Sequence, residues 1–250
     1  ALRHVDLPAL NTAMIYLRLN LNHMMETDEP LARLSWIAAD SGAFPRPQTV
    51  VLAMSGRTGL TFRSGGLKPT NVSTVEDPDV RLAILQSFSE IFAPYNMTVS
   101  TDSDPQPAEP HGVIYIGVAD PPLGTRLNGL SEWIDGLNQS PDDVAIVDLS
   151  SSSFTMAGLL GPTALGTAAG LVAAHEMGHL LGLSHTLDPD DLMTTGSKGI
   201  GIQLDRLYGR RFLRAPLDSL IAAGQFALGE QNPEAYLATI LGRRAALQSP

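Results

Sequence analysis

The apolar positions change period along the chain, and those changes predict its elements. Thr49–Met54 is an unbroken β-branched and apolar run ended by Ser55-Gly56, the pattern of a buried strand followed by a turn. A Gly-rich loop is expected from there to about Ser73. Val80, Ile84, Leu85, Phe88, Ile91 and Phe92 then recur at helical spacing behind Asp77-Pro78. This predicts a helix capped by Asp77, with Pro78 in its first turn, that runs until Pro94 stops it. Met97–Ser100 reads as a short strand, and Asp102–Pro110, with three prolines, as a loop. Gly112–Val118 is apolar enough for a strand covered on both faces, and Gly129–Ile134 and Val144–Leu149 are further strands. Small residues fill Ser150–Gly166 without a clear period, and a long helix is predicted from about Thr167. Downstream, Ile202–Arg211, Leu217–Leu228 and Pro233–Leu247 carry helical patterning. Upstream, Leu31–Ala39 reads as a short helix, while Met14–Leu21 fits a strand as well as a helix.

Strands with one helix come first and helices follow, with no linker or repeat between them, which points to an α+β fold. Composition narrows the class of protein. Hydrophobic residues make up 44% and charged residues 17% of the 250, the balance of a globular chain. Its longest apolar runs, such as Ala168–Ala174, fall far short of the roughly 20 residues a membrane span needs. Arg3, His4 and Asp6 interrupt any signal-peptide core at the amino end, although a cleaved leader would not be visible. The absence of cysteine excludes disulfides, thiolate metal sites and a cysteine nucleophile. A formal charge of −10 argues against a nucleic-acid partner, since a polyanion would be repelled overall.

The chemistry gathers in one place: His175-Glu176-Met177-Gly178-His179-Leu180-Leu181-Gly182-Leu183-Ser184-His185. Histidines four apart on a helix share a face, so His175 and His179 can reach one ion, and zinc accepts imidazole nitrogen readily. Gly182 stands where the helix must end, because glycine takes the left-handed conformation that lets the chain turn back. His185 then becomes available as a third ligand. Three histidines leave a position open for water, the mark of a catalytic site. Glu176, beside the first ligand, can reach that water without ligating the metal, take its proton as a peptide carbonyl is attacked, and deliver it to the leaving amine. Chance yields five such positions at fixed spacing on the order of 10⁻⁵ per sequence, so coincidence is a poor explanation.

This HExxHxxGxxH pattern, followed by Asp191-Leu192-Met193-Thr194, resembles the metzincin clan of zinc endopeptidases. Met193 matches the Met-turn methionine, which the resemblance makes an apolar floor beneath the histidines. Thr49–Gly56, Asp79–Tyr95, Gly112–Gly117 and Gly129–Leu149 recur in matching order in bacterial matrixin-like proteases. The resemblance implies a zincin fold: a twisted, mainly parallel sheet over the active-site helix, with one antiparallel edge strand along the cleft. That edge is assigned to Gly129–Ile134, with Gly129, Leu130, Ser131, Glu132 and Trp133 as substrate-binding residues, the substrate adding itself as a strand. Where astacins and serralysins carry a tyrosine two residues beyond the methionine, this chain has Thr195, which favours the matrixin-like side. With no cysteine, latency of the propeptide-cysteine kind is not available within this chain.

The expected organisation is an N-terminal extension over 1–48, a catalytic domain over 49–213 and a C-terminal helical extension over 214–250, together one compact unit. The expected function is zinc-dependent endopeptidase activity on protein or peptide substrates, with one catalytic Zn2+, secretion or export by family resemblance, and no inferred oligomeric state. A binding module on a lapsed protease scaffold and an amidase with the same zinc chemistry are the competing functions. Asp102 and Asp104 are candidates for Ca2+ by resemblance, yet their spacing completes no EF-hand loop and a solvated loop explains them better. Asp188, Asp190 and Asp191 could steady the turn before Met193 or hold a ligand histidine. Ser150–Ser153 lacks the G-x-S-x-G elbow of a serine nucleophile. His4, His23 and His111 read as surface or locally bonded residues, and Trp36 and Trp133 as packing.

Overall fold

The computed structural model describes residues 45–124, 127–135, 138–194, 211–216 and 230–245. The expected elements at 14–21, 31–39 and 217–228 lie outside the described residues, as does the expected 202–211 helix apart from Arg211, which pairs in a bridge with Asp191. In chain order the elements are β1 (Gln48–Ala53), β2 (Ser55–Leu60), β3 (Thr70–Thr74), α1 (Pro78–Phe92), β4 (Met97–Thr101), β5 (Gly112–Gly117), β6 (Ala119–Asp120), β7 (Gly129–Ser131), β8 (Val144–Asp148), α2 (Ser152–Gly158), α3 (Pro162–Leu180), β9 (Ala215–Pro216), β10 (Glu230–Gln231) and α4 (Pro233–Leu241).

The main sheet has the order β4-β1-β5-β8-β7. Its first four strands run parallel, with Val50 opposite Val99, Val51 opposite Val113 and Ile114 opposite Ala145. β7 closes the sheet as an antiparallel edge, with Leu130 opposite Ile146. Parallel strands are covered on both faces, which is why these read as near-continuous apolar runs. On one face Val50, Leu52, Ile114, Ile116, Ala145 and Val147 meet α1 and α3 in the principal core. On the other, Ile146 packs under Leu60, Phe62, Leu67, Val72 and Ala119.

That second layer corrects the loop expected after Gly56. β2 and β3 form an antiparallel hairpin, joined by β6 into a three-stranded sheet. β2 is largely exposed and polar, so it lacks the apolar signal of a strand. Gly56 and Gly59, at φ 87° and 62°, supply the left-handed turns in its irregular register.

α1 begins as its sequence predicts, the Asp77 carboxylate accepting from the Asp79 and Val80 amides at 2.8 and 3.3 Å. The active-site helix starts at Pro162, earlier than the expected Thr167, and α2 precedes it where no element was expected. α3 is buried nearly all round and crosses α1 with almost no gap. A Cβ at Gly166 would lie 2.4 Å from the Val80 carbonyl oxygen, and one at Gly170 would lie 2.0 Å from Ser87 Oγ. Small residues here are thus a packing requirement, and they hide the apolar stripe that marks an ordinary surface helix.

The edge strand ends at Ser131, short of the expected Ile134. After Glu132 donates its amide to the Val144 carbonyl (2.9 Å), the chain turns away and Asp135 donates to the His179 carbonyl instead (3.0 Å). α4 ends at Leu241, short of the expected Leu247, because Gly242 takes φ 77°. Its Leu237, Ile240 and Leu241 lie in the principal core. Backbone bonds from Arg46 to Ile240 (2.7 Å), Asn96 to Gly242 (3.0 Å) and Arg244 to Pro94 (2.9 Å) stitch this segment to the start of the sheet and the end of α1. Among the described residues no helix is long and apolar enough to cross a membrane.

Candidate metal centre and active site

The C-terminal end of α3 is built as a Schellman turn. Leu181 caps the helix, Gly182 takes φ 98°, Gly182 N–H donates to the His179 carbonyl (2.8 Å) and Leu183 N–H donates to Gly178 (2.7 Å). The glycine therefore stands where the sequence requires it. The reversal brings His185 back to His175 and His179, and the three Nε2 atoms lie 3.1, 3.1 and 3.3 Å apart. Among the described residues this is the one group of three or more acidic, cysteine or histidine side chains close enough to hold a metal ion.

Two rings are oriented through their other nitrogens. His175 Nδ1 lies 2.7 Å from the Leu192 carbonyl and His179 Nδ1 lies 2.8 Å from the Leu183 carbonyl. A carbonyl only accepts, so each Nδ1 carries the hydrogen and each Nε2 keeps a lone pair pointed at its neighbours. Such lone pairs repel until a cation sits among them. The spacing suits zinc: ligands about 2.0–2.1 Å from a tetrahedral ion are about 3.3–3.4 Å from one another. The donor set and its dimensions thus fit a zinc ion held by His175, His179 and His185.

Glu176 is buried in this site, and burial pushes its carboxyl up to about 8. It rests on the edge strand: a Cβ at Gly129 would lie 2.6 Å from Glu176 Oε1. Met193 is fully buried and packs against the active-site helix, its Sδ 2.6 Å from where a Gly178 Cβ would be. The turn around it is held by Asp191, which accepts from Thr186 Oγ1 (2.5 Å) and the Leu213 amide (3.0 Å). Asp188 serves the same turn by accepting from the Asp190 amide (2.9 Å). The histidine partner that the sequence sought among these aspartates is the carbonyl of Leu192.

Of the proposed substrate-binding residues, Gly129, Leu130 and Ser131 form the edge, and Leu130 packs into the second core. Trp133 is half-buried beyond the strand. The carboxylate of Glu132 is committed to Arg63, which donates to it from its backbone amide and from its guanidinium (3.1 Å). The same guanidinium reaches Asp142 and Asp143, at 3.2 and 2.5 Å, and ties the loop after β2 to the exit of the edge strand. Sequence patterning has no access to this clamp, because its halves lie far apart in the chain. Asp148, at the end of β8, was also missed; it accepts from the Ala119, Leu123 and Ser150 amides and anchors the approach to β7. His111 is bonded locally to the Glu109 carbonyl. Asp102 accepts from Ser55, and Asp104 accepts from the Thr101 amide and hydroxyl, so both acids serve turns.

One guanidinium cannot neutralise several buried acids. Burial, then the charge of Asp135, pushes the Asp143 carboxyl up to about 8 in spite of Arg63. The folded protein therefore keeps a proton on Asp143 that the unfolded chain loses near pH 4, so this group makes stability fall as pH rises between those values. Asp143→Asn is expected to gain Tm relative to wild type as the pH is raised from 5.5 to 9. A Tm difference independent of pH would contradict the assignment.

A mainly parallel sheet with an antiparallel edge, an HExxH helix turning back through glycine, and three convergent histidines make this a metzincin-like fold. Within that type the particular family is indicated by sequence: the matrixin peptidase family model matches residues 121–203, from the approach to the edge strand to just beyond the Met-turn. Over those residues the chain is similar to the matrixin peptidases. No curated protein matches it.

Proposed function

We propose that this protein is a zinc-dependent endopeptidase in which Glu176 is the general base and acid. The observation that carries the reading is the convergence of three imidazole nitrogens beside a buried glutamate on one helix end. Zinc, when bound, supplies Lewis acidity that makes a water more acidic and polarises a carbonyl. The residues supply the rest. His175, His179 and His185 would hold the ion, two of them fixed by carbonyl oxygens on Nδ1. Glu176, made more basic by burial, takes one proton from the attacking water as the new carbon–oxygen bond forms. It returns that proton to the amide nitrogen as the carbon–nitrogen bond breaks, so water is consumed and no other reactant is needed. β7 has no strand on its outer side among the described residues, and an extended peptide can pair there through its main chain. Recognition of main chain rather than a terminus favours cleavage at internal bonds. Export belongs to this reading by family resemblance.

The test is digestion of a diverse peptide mixture read by mass spectrometry. Internal cuts are expected from the zinc-loaded protein, their loss after chelation, and their return with added zinc. Intact peptides after incubation with protein that carries zinc would overturn the proposal.

A further inference from the structure

We propose that Gln231 and Tyr236, in the C-terminal segment beyond the matrixin match, are positioning residues that set the third metal-ligating histidine in place. The backbone of His175 and His179 is fixed by a helix locked against α1, and their rings by the Leu192 and Leu183 carbonyls. His185 follows the end of that helix. On one side of it stands Thr186, fixed by its amide on the Met193 carbonyl (3.0 Å) and its hydroxyl on Asp191. On the other is the turn from Leu181 to Ser184, whose hold sets that side. Gln231 holds it by both polar ends of its side chain. Its Oε1 accepts from the Ser184 amide at 2.8 Å, and its Nε2 donates to the Ser184 carbonyl at 3.0 Å. A neighbouring strand would make that same pair of bonds; here one primary amide makes both, on the residue directly before the ligand. One turn further back, Tyr236 donates its hydroxyl to the Leu181 carbonyl at 2.9 Å, satisfying a group at the helix end.

The holder is itself fixed. Gln231 is 2% exposed and pairs through its backbone with Ala215, Asn232 caps α4 through its side chain, and Leu237 and Leu241 anchor that helix in the core. Order at residues 231–241 is thereby passed to His185 through three hydrogen bonds. The inference rests on the metal assignment of the proposed function, and it makes the C-terminal segment part of the site.

The experiment compares Gln231→Met, Tyr236→Phe and the control Thr239→Ala in the full chain; the Thr239 hydroxyl bonds only within α4, to the Ala235 carbonyl. Zinc affinity is read by competition with a chromophoric chelator, zinc release by stopped flow, and folding by the Tm of the metal-free protein. Gln231→Met should weaken zinc binding by about tenfold, the lower end of the loss seen when outer contacts of metal ligands are removed. Zinc release should speed up accordingly. Tyr236→Phe should shift both in the same direction by less, and it carries the test if Gln231→Met does not fold. Thr239→Ala should leave both unchanged. Affinity and release in both variants equal to those of the control would overturn this inference alone. A wild-type chain that binds no zinc would remove it together with the proposed function.

Discussion

Glu176→Gln should keep its zinc and its fold while losing peptide turnover by about 10³-fold, within the range expected when a general base is removed. Glutamine has the length and shape of glutamate, so the contact with Gly129 and the burial are preserved. What disappears is the ability to take a proton from water and return it to nitrogen. Because the loss lies in the chemical step, kcat should fall with little change in KM. Zinc content, circular dichroism and kinetics on a peptide found in the digestion experiment form the complete test. Turnover within tenfold of wild type, with zinc bound, would remove Glu176 from the mechanism.

Gly129→Ala should reduce kcat by about 10–100-fold although residue 129 performs no chemistry. Gly129 does not take a left-handed φ, so no turn requires glycine there. The requirement comes from Glu176, whose Oε1, Cγ and Cδ would lie 2.6, 2.9 and 3.0 Å from an added Cβ. The strand is held by its ladder to β8, so the glutamate is the partner that yields. A shift near 1 Å in a reacting group costs about 10²-fold. Zinc affinity and Tm should stay close to wild type. The same substitution placed in Glu176→Gln should cost little more, because the group it displaces is no longer active. Full additivity of the two effects would mean that Gly129 acts by another route.

The histidine site was legible in the sequence because its geometry is local. Helical spacing joins His175 to His179, and Gly182 marks the reversal that returns His185, all within eleven residues. α1 was legible for the same reason: cap, first-turn proline and apolar stripe are adjacent. The rest depends on partners distant in the chain. β2 and β3 stabilise each other with mostly polar sequences, β2 largely exposed as well, so neither announces itself. α3 could have been started at Gly161-Pro162, a sound first-turn signal, but a helix buried all round has no polar face to show its period. Gly129 looks like an ordinary strand residue until Glu176 is set against it. Gln231 looks like an ordinary polar residue until Ser184 is.

The glycines that let α1 and α3 meet also determine where the molecule gives way first. Amides in the second half of α3 lie under the sheet and against α1, and they are exposed to solvent only when the whole domain opens. His175 and His179 therefore share the lifetime of the native state itself. His185 stands beyond the helix, where a few hydrogen bonds from Gln231, Tyr236 and Thr186 hold its surroundings, and it is expected to be the ligand that yields first. Loss of the ion should accordingly begin at one ligand and pass through a two-histidine stage in which the rest of the fold is undisturbed. Rebinding from that stage needs only the turn to close, so the centre can exchange its ion without refolding the protein.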